Sequence, residues 1–387
     1  MSKNKCINCN YKKFNEIFST KKFPLFFGAI PKESLNKINY YPLTISRCKK
    51  CNLIQQINLL DQNIINSIYT ASYYNCSSTV VSGLLKKEKN FFVDFIEGGK
   101  LNKGKALEVA CYDGYVLNQL KLNGWDVYGC DPNPMIKVAQ KNLGKKKILA
   151  EMFTKKSFRK TKFDIIFFRN LLEHLYDTNS FLKTVKEKLN DNGSIFIEIP
   201  NIYKILNGSV FGSFFHQHIS YFSIETLQYL LNKNGFEIER YYAGDFLIVE
   251  AKKNKKVSIQ IQNTLKINEH IKQYKKTYSV YKNKLNSIFE SQKVNSICLF
   301  GASSQSTSII NLLNDNNRKK IKHVIDNDIS KVNNYMIGTK IKISKATHAK
   351  KLKCDYFLIM SFIYHKEMKH QLISQGISND KIKCLYD

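Results

Sequence analysis

Short apolar runs alternate with amphipathic stretches through the middle of the chain. Lys105–Ala110, Trp125–Cys130, Phe163–Phe168 and Ser194–Glu198 are compact apolar runs bounded by polar turns, the pattern of buried strands. Between them, Tyr115–Asn123 and Ser180–Leu189 carry helical patterns. Strands alternating with helices predict a mostly parallel sheet covered on both faces. Further on, Ile261, Leu265, Ile271, Tyr274 and Tyr278 fall near helical spacing and predict a long helix between about Val257 and Gln292. A second α/β unit follows, with strand-like Ser296–Phe300, His323–Ile325 and Tyr356–Met360. The first 70 residues read differently, as short β-like runs around two Cys-x-x-Cys pairs. The pattern thus predicts three parts, residues 1–70, 71–256 and 257–387, with no short tandem repeat and no low-complexity linker.

Length agrees with several domains, since 387 residues exceed one ordinary core. No apolar run is long enough for a membrane span. Met1–Cys6 lacks the apolar stretch of a secretory signal, so a cytoplasmic setting with reduced thiols is expected. Ten cysteines there read as metal ligands or buried apolar residues. The net charge of +30 suggests nucleic acid at first sight. Yet only Arg47, Arg159, Arg169, Arg240 and Arg318 carry guanidinium groups, and lysine is spread along the whole chain. Base and phosphate readers favour the bidentate arginine fork. The excess is therefore compositional, or an aid in attracting an anionic substrate, and no nucleic-acid partner is expected.

Cys6, Cys9, Cys48 and Cys51 form two Cys-x-x-Cys pairs with 38 residues between them. Each spacing lets two thiolates face one ion from a tight knuckle, and two knuckles complete a tetrahedral S₄ shell that suits one Zn²⁺. A closed shell leaves no open coordination position, so such a zinc is structural. Two independent reduced pairs, or a redox dithiol, are the alternative. Cys76, Cys111, Cys130, Cys298, Cys354 and Cys384 lie mostly in apolar runs and read as packing residues.

Leu107-Glu108-Val109-Ala110-Cys111-Tyr112-Asp113-Gly114 is a strand entering a turn and then a helix. This is where a doubly wound sheet binds an adenosine-containing ligand. Asp131, at the end of the next strand and followed by Pro132, suits both ribose hydroxyls. A full G-x-G-x-x-G is absent, so the pattern fits S-adenosylmethionine, which has no phosphate to cradle, better than a dinucleotide. A turn glycine and a solvated aspartate also occur in other α/β proteins.

Phe163–Arg169, then Asn170-Leu171-Leu172-Glu173-His174, and then Gly193-Ser194-Ile195-Phe196-Ile197-Glu198 resemble the fourth and fifth strands of class I methyltransferases. The order of parts along the chain is more specific. It runs through the cysteine pairs, Tyr41-Pro42-Leu43, Tyr73-Tyr74-Asn75-Cys76-Ser77-Ser78, the Glu108–Gly114 turn, His216-Gln217-His218-Ile219-Ser220-Tyr221 and Phe300-Gly301-Ala302. In this order the chain resembles the zinc-containing sugar C-methyltransferases, which act on nucleotide-linked 4-keto-deoxysugars. The resemblance implies an N-terminal zinc-binding domain, a class I methyltransferase Rossmann-like domain and a C-terminal α/β Rossmann-like domain that helps hold a sugar nucleotide.

By that resemblance His218 is the base, with Gln217 and Tyr74 beside it. Glu108, Ala110, Asp113, Gly114, Asp131, Pro132 and Asn170 are implied for the cofactor. Tyr73, Ser78, His216, Gly301 and Ala302 are implied on the substrate side. His174 reads as a pocket-wall residue. A ketone acidifies the neighbouring C–H, a base removes the proton, and the resulting enolate attacks the sulfonium methyl group in line. The chain departs from the family at Ala110, usually glycine, at Phe215 and Gln217, usually tyrosine and glutamate, and at Ser303-Ser304-Gln305-Ser306, usually Pro-Ala-Lys-Gly. Gln217 is expected to orient the His218 ring without bringing a charge. Methylation of oxygen, nitrogen or another carbon acid, and ligand binding without turnover, are the rival readings.

Overall fold

The computed structural model describes residues 5–25, 29–70, 83–99, 101–209, 213–254, 265–291, 294–361 and 364–386. The chain packs into two compact units that interleave in sequence. One gathers Met1–Asn15, Ser46–Ile202 and His218–Thr264, and the other Glu16–Ile45, Tyr203–Gln217 and Leu265–Asp387.

In the first unit a seven-stranded sheet runs in the order Phe236–Ala243, Phe246–Lys253, Leu189–Pro200, Phe163–Arg169, Lys105–Val109, Asp126–Cys130, Ile148–Leu149. The last five strands pair in parallel, and the first two form an antiparallel hairpin on the edge. Parallel strands are covered on both faces, which is why they read as apolar runs. Successive residues alternate between two cores: Ile165 and Phe167 enter one, Ile166 and Phe168 the other. Lys105–Val109 lies between Asp126–Cys130 and Phe163–Arg169, so strand order reverses there. The carboxyl ends at such a reversal open the crevice where α/β sheets bind ligands.

The expected Ser194–Glu198 strand is longer, from Leu189 to Pro200. Gly193 lies inside it. A Cβ there would meet the Asp164 carbonyl at 2.8 Å, so only glycine allows the two strands to approach. The helix after Gly114 spans Tyr115–Leu122, and Thr178–Lys188 starts where the Asp177 side chain accepts the Ser180 N–H at 2.9 Å.

A four-stranded sheet follows the order Phe14–Pro24, Tyr40–Cys48, Ile54–Gln56, Ser220–Tyr221. In the second unit, five strands pair wholly in parallel: Ile343–Lys345, Ile321–Asp326, Ile297–Phe300, Tyr356–Ile359, Ile382–Cys384. The expected long helix spans Leu265–Glu290, and the start of its predicted range lies outside the described residues. Among the described residues no helix is long and apolar enough to cross a membrane.

Candidate active site

The two cysteine knuckles are built alike. The Asn10 N–H donates to the Cys6 carbonyl at 2.8 Å, and the Asn52 N–H to the Cys48 carbonyl at 3.1 Å. Cys6 N–H reaches Tyr11 at 2.9 Å, as Cys48 N–H reaches Leu53 at 2.9 Å. Asn10 and Asn52 close the turns at φ of 60° and 64°, a region asparagine tolerates better than most side chains. Cys6 and Cys51 sulfurs lie 3.4 Å apart, Cys9 and Cys48 sulfurs 3.5 Å. These are far from a bonded disulfide of about 2.05 Å and near the ~3.8 Å edge of a tetrahedron with 2.3 Å metal–sulfur bonds. The donor set fits one thiophilic metal ion.

Those knuckles are fastened to the seven-stranded unit. Cys6, Cys48, Cys51 and Leu53 share an apolar cluster with Phe168, Ile197 and Leu230. Asn179 Nδ2 donates to the Ile7 carbonyl at 3.1 Å, and Lys233 Nζ to the Asn8 carbonyl at 2.7 Å. Past the second knuckle, Ile54–Gln56 pairs antiparallel with Ser220–Tyr221. The Gln56 side chain donates to the His218 carbonyl at 2.6 Å. The segment carrying His218 therefore hangs on the strand that leaves the second cysteine knuckle.

At the strand reversal, Lys105–Val109 ends in Ala110, at φ of 62°, followed by Tyr112 at 51° and Gly114 at 74°. Left-handed backbone at a non-glycine costs about 1–2 kcal/mol, so this turn is strained at Ala110 and Tyr112. The strain explains why glycine suits position 110 in the family the chain resembles. Asp131 holds the turn: its carboxylate accepts the Tyr112 N–H at 2.9 Å and the Asn133 N–H at 2.7 Å. Burial raises its pKa, opposed by those two backbone bonds. Glu108 is 4% exposed, and among the described residues its Oε2 has no hydrogen-bond partner. Burial pushes its carboxyl up to about 8, with Arg169 and Lys89 opposing.

The Asp113 carboxylate accepts the N–H of Tyr115, the first residue of the next helix, at 3.2 Å and faces Lys89 Nζ at 3.9 Å. Pro132 is exposed beside Asp131. Asn170 ends the neighbouring strand at φ of 47°, with its N–H on the Glu198 carbonyl at 2.8 Å. Arg169 and Glu198 pair at 2.7 Å beneath it. The crevice is thus rich in acids, one of them with an unused buried oxygen. It fits a ligand bearing hydroxyl and ammonium donors, as S-adenosylmethionine does, better than one bearing phosphates.

His216 and His218, two residues apart, occupy different surroundings, as extended backbone dictates. His216 is fully buried, edge-on to Phe23 at 5.7 Å and Tyr41 at 6.1 Å. Burial lowers its pKa to about 4. It presents no surface to a substrate, contrary to expectation. The Gln217 side chain donates to the Leu25 carbonyl at 3.1 Å, so its Nε2 is engaged there. His218 is half-buried, packed edge-on against His174 at 4.8 Å and Tyr221 at 5.5 Å. Dense surroundings hold its imidazole well below the usual range, with His174 adding to the effect. Glu173, unremarked in the sequence beyond its motif, is buried beside His174.

In the second unit, Gly301 takes φ of 106°, and the Ala302 N–H donates to Asp326 at 2.6 Å. Tyr73, Tyr74 and Ser78 lie outside the described residues.

Residues 82–241 match the family model of a methyltransferase domain, and residues 249–379 that of a C-methyltransferase C-terminal domain. C-methyltransferase NovU of Streptomyces niveus is 22% identical over 245 residues, covering 62% of this chain. The match spans 57% of that relative's length. Among solved structures, an S-adenosylmethionine-dependent methyltransferase from Clostridium acetobutylicum is similar at 13% identity and TM-score 0.38, covering 47% of this chain and 96% of that one. Magnesium protoporphyrin IX methyltransferase from Synechocystis is similar at 15% identity and TM-score 0.38, covering 50% and 100%. The seven-stranded unit has the α/β class I methyltransferase fold, and residues 82–241 match a methyltransferase domain.

Proposed function

We propose that the protein methylates a carbon atom of a small molecule, and that the acceptor is a nucleotide-linked keto-deoxysugar. The observation that carries this reading is the succession, in one chain, of a methyltransferase domain and a C-methyltransferase C-terminal domain. The order of motifs from the cysteine pairs to Gly301-Ala302 supports the sugar nucleotide as acceptor. The setting is read as cytoplasmic.

Asp131 is assigned to the ribose hydroxyls, and Glu108 to the ammonium end of S-adenosylmethionine. Asp113, Pro132 and Asn170 line the same crevice, with Ala110 and Gly114 shaping the turn. When bound, S-adenosylmethionine supplies an electrophilic methyl group. The protein's own work is orientation and proton removal. His218 takes the proton beside the ketone, because a neutral imidazole keeps a lone pair available at pH 7. Its main chain is fixed through Gln56 and through the Ile219 N–H on the Glu173 carbonyl at 2.7 Å. We assign Zn²⁺ to the four cysteines as a structural ion that keeps this segment in register. Tyr73, Tyr74, Ser78, Gly301 and Ala302 remain assigned to the substrate side.

One observation favours a second reading, methylation of oxygen or nitrogen. Phe215 and Gln217 bring neither phenol nor carboxylate to the loop before His218. Incubation with methyl-labelled donor and a keto-sugar nucleotide, followed by NMR of the product, tests the proposal. A new carbon-bound methyl next to the ketone is expected; an O- or N-methyl signal would transfer the protein to the second class.

A further inference from the structure

Glu173 lies on the short turn Leu172–His174 and is only 2% exposed. Among the described residues neither carboxyl oxygen has a hydrogen-bond partner, and Oε1 lies 3.9 Å from His174 Nε2. One donor atom from each of Glu173, His174 and His218 falls within 4.8 Å of the others. The Glu173 carbonyl also anchors the Ile219 N–H, directly after His218. A buried carboxyl without a hydrogen bond is expensive to keep, and packing alone would favour an apolar residue. From this geometry we infer that Glu173 is a positioning residue that acts, with His174, on His218. Its ionised carboxylate balances the imidazolium formed when His218 takes a proton. The inference rests on the reading of His218 as base.

The proton balance shows why the charge matters. A C–H bond breaks, its electron pair stays on carbon as the enolate, and the proton goes to the His218 lone pair. With Glu173 ionised, the trio passes from one negative charge to neutral. With Glu173 protonated, it passes from neutral to one unpaired positive charge in dense surroundings, which is far less favourable. The form with ionised Glu173 is therefore the working one.

Burial pushes the Glu173 carboxyl up to about 8; the nearby N–H of its own backbone opposes this, and Glu198 adds to it. Outside the trio, the titratable groups facing it are Tyr221 beside His218 and Glu198 on the neighbouring strand. Glu198 is itself paired with Arg169. Groups this close titrate together, so the acid limb belongs to the trio and not to one member. It falls near pH 8, where loss of a proton from the trio leaves the carboxylate charged.

The test is a pH titration of full-length, zinc-loaded protein with ring-labelled histidine, followed by NMR, in wild type, Glu173→Gln and Glu173→Asp. The His174 and His218 signals are expected to sense an ionisation near pH 8. That step disappears in Glu173→Gln and persists, displaced, in Glu173→Asp. In Glu173→Gln, proton exchange on a keto-sugar nucleotide should lose its limb and drop about tenfold to a hundredfold at the plateau. A step that survives Glu173→Gln unchanged overturns the inference. So does a second equivalent of bound metal, beyond that at the cysteines, that is lost in Glu173→Gln. If Glu173→Gln fails to fold, Glu173→Asp decides alone, and an unmoved step overturns the inference. The NMR arm needs no substrate. A wild type that exchanges no ketone would strike the carbon-acid reading and leave the titration result standing.

Discussion

The turn after Lys105–Val109 and the turn after Ile297–Phe300 are held by the same backbone bonds. Ala110 N–H donates to the Cys130 carbonyl at 2.9 Å, and Gly301 N–H to the Ile325 carbonyl at 2.8 Å. An aspartate at the end of the next strand then closes each turn. Asp131 accepts from Tyr112 and Asn133, and Asp326 from Ala302 and Asp328. Parallel sheets with reversed strand order impose this frame, and it carries no chemistry of its own. The side chains on the frame differ. Two residues before the turn stands Glu108 in one case and Leu299 in the other, both buried. Asp326 faces Lys331 at 3.4 Å, whereas Asp131 is held by backbone alone among its assigned bonds. The first turn is acidic and strained at Ala110; the second has glycine where strain would fall. Such a contrast suits a donor-rich ligand at the first turn and a different occupant at the second.

The largest expected effect tests what surrounds the first turn. Cys48→Ser should break the S₄ shell and destabilise the knuckles and the paired Ser220–Tyr221 segment by several kcal/mol. Hydrogen exchange should rise at both while the Ile297–Phe300 turn keeps its protection. Affinity for S-adenosylhomocysteine should change little. Equal loss of protection at the knuckles and at the Ile297–Phe300 turn would deny a local role for the four-cysteine shell.

Next comes the aspartate pair. Asp131→Ala and Asp326→Ala each remove a carboxylate that accepts two backbone N–H bonds. Only Asp131→Ala should weaken S-adenosylhomocysteine binding, by about 1.5–3 kcal/mol or one to two decades in calorimetry. Equal binding by both variants would remove the ribose assignment.

Glu108→Leu copies the second turn into the first. An unfolded glutamate releases its proton near pH 4.3, whereas folded Glu108 holds it to about 8. Its stabilising contribution is complete below the unfolded value and is lost as pH rises to the folded one. The slope is at most about 1.4 kcal/mol per pH unit. Thermal melts of ligand-free Glu108→Leu should therefore flatten between pH 5 and 8 relative to wild type. A wild type that gains stability over that window would contradict the burial argument. Smallest is Ala110→Gly, which relieves a left-handed alanine and should tighten cofactor binding by a few-fold. Weaker binding would mean the methyl group packs against the ligand.

Much of this frame was legible beforehand. Apolar runs announced the parallel strands because both faces are covered, and the Cys-x-x-Cys spacing announced the knuckles. What the sequence hid were pairings between distant segments. Nothing local in Ile54–Gln56 or Ser220–Tyr221 says that they meet, or that this pairing carries His218. Glu173 was visible as a letter in a motif, but its lack of a hydrogen-bond partner is a property of packing. The need for glycine at Gly193 was also hidden, because it comes from close approach to the Asp164 carbonyl on the neighbouring strand. The enclosed ring of His216 was equally invisible, since Phe23 and Tyr41 come from far earlier in the chain.

The central claim is that His218 removes a proton from carbon beside a ketone. Its most direct measurement is exchange of that proton in deuterated water, with S-adenosylhomocysteine in place of the methyl donor. Wild type should exchange it, and His218→Ala should be slower by about 10²–10⁴-fold while binding S-adenosylhomocysteine normally. Equal exchange by both proteins, or methylation of the substrate by a wild type that exchanges nothing, would contradict the account.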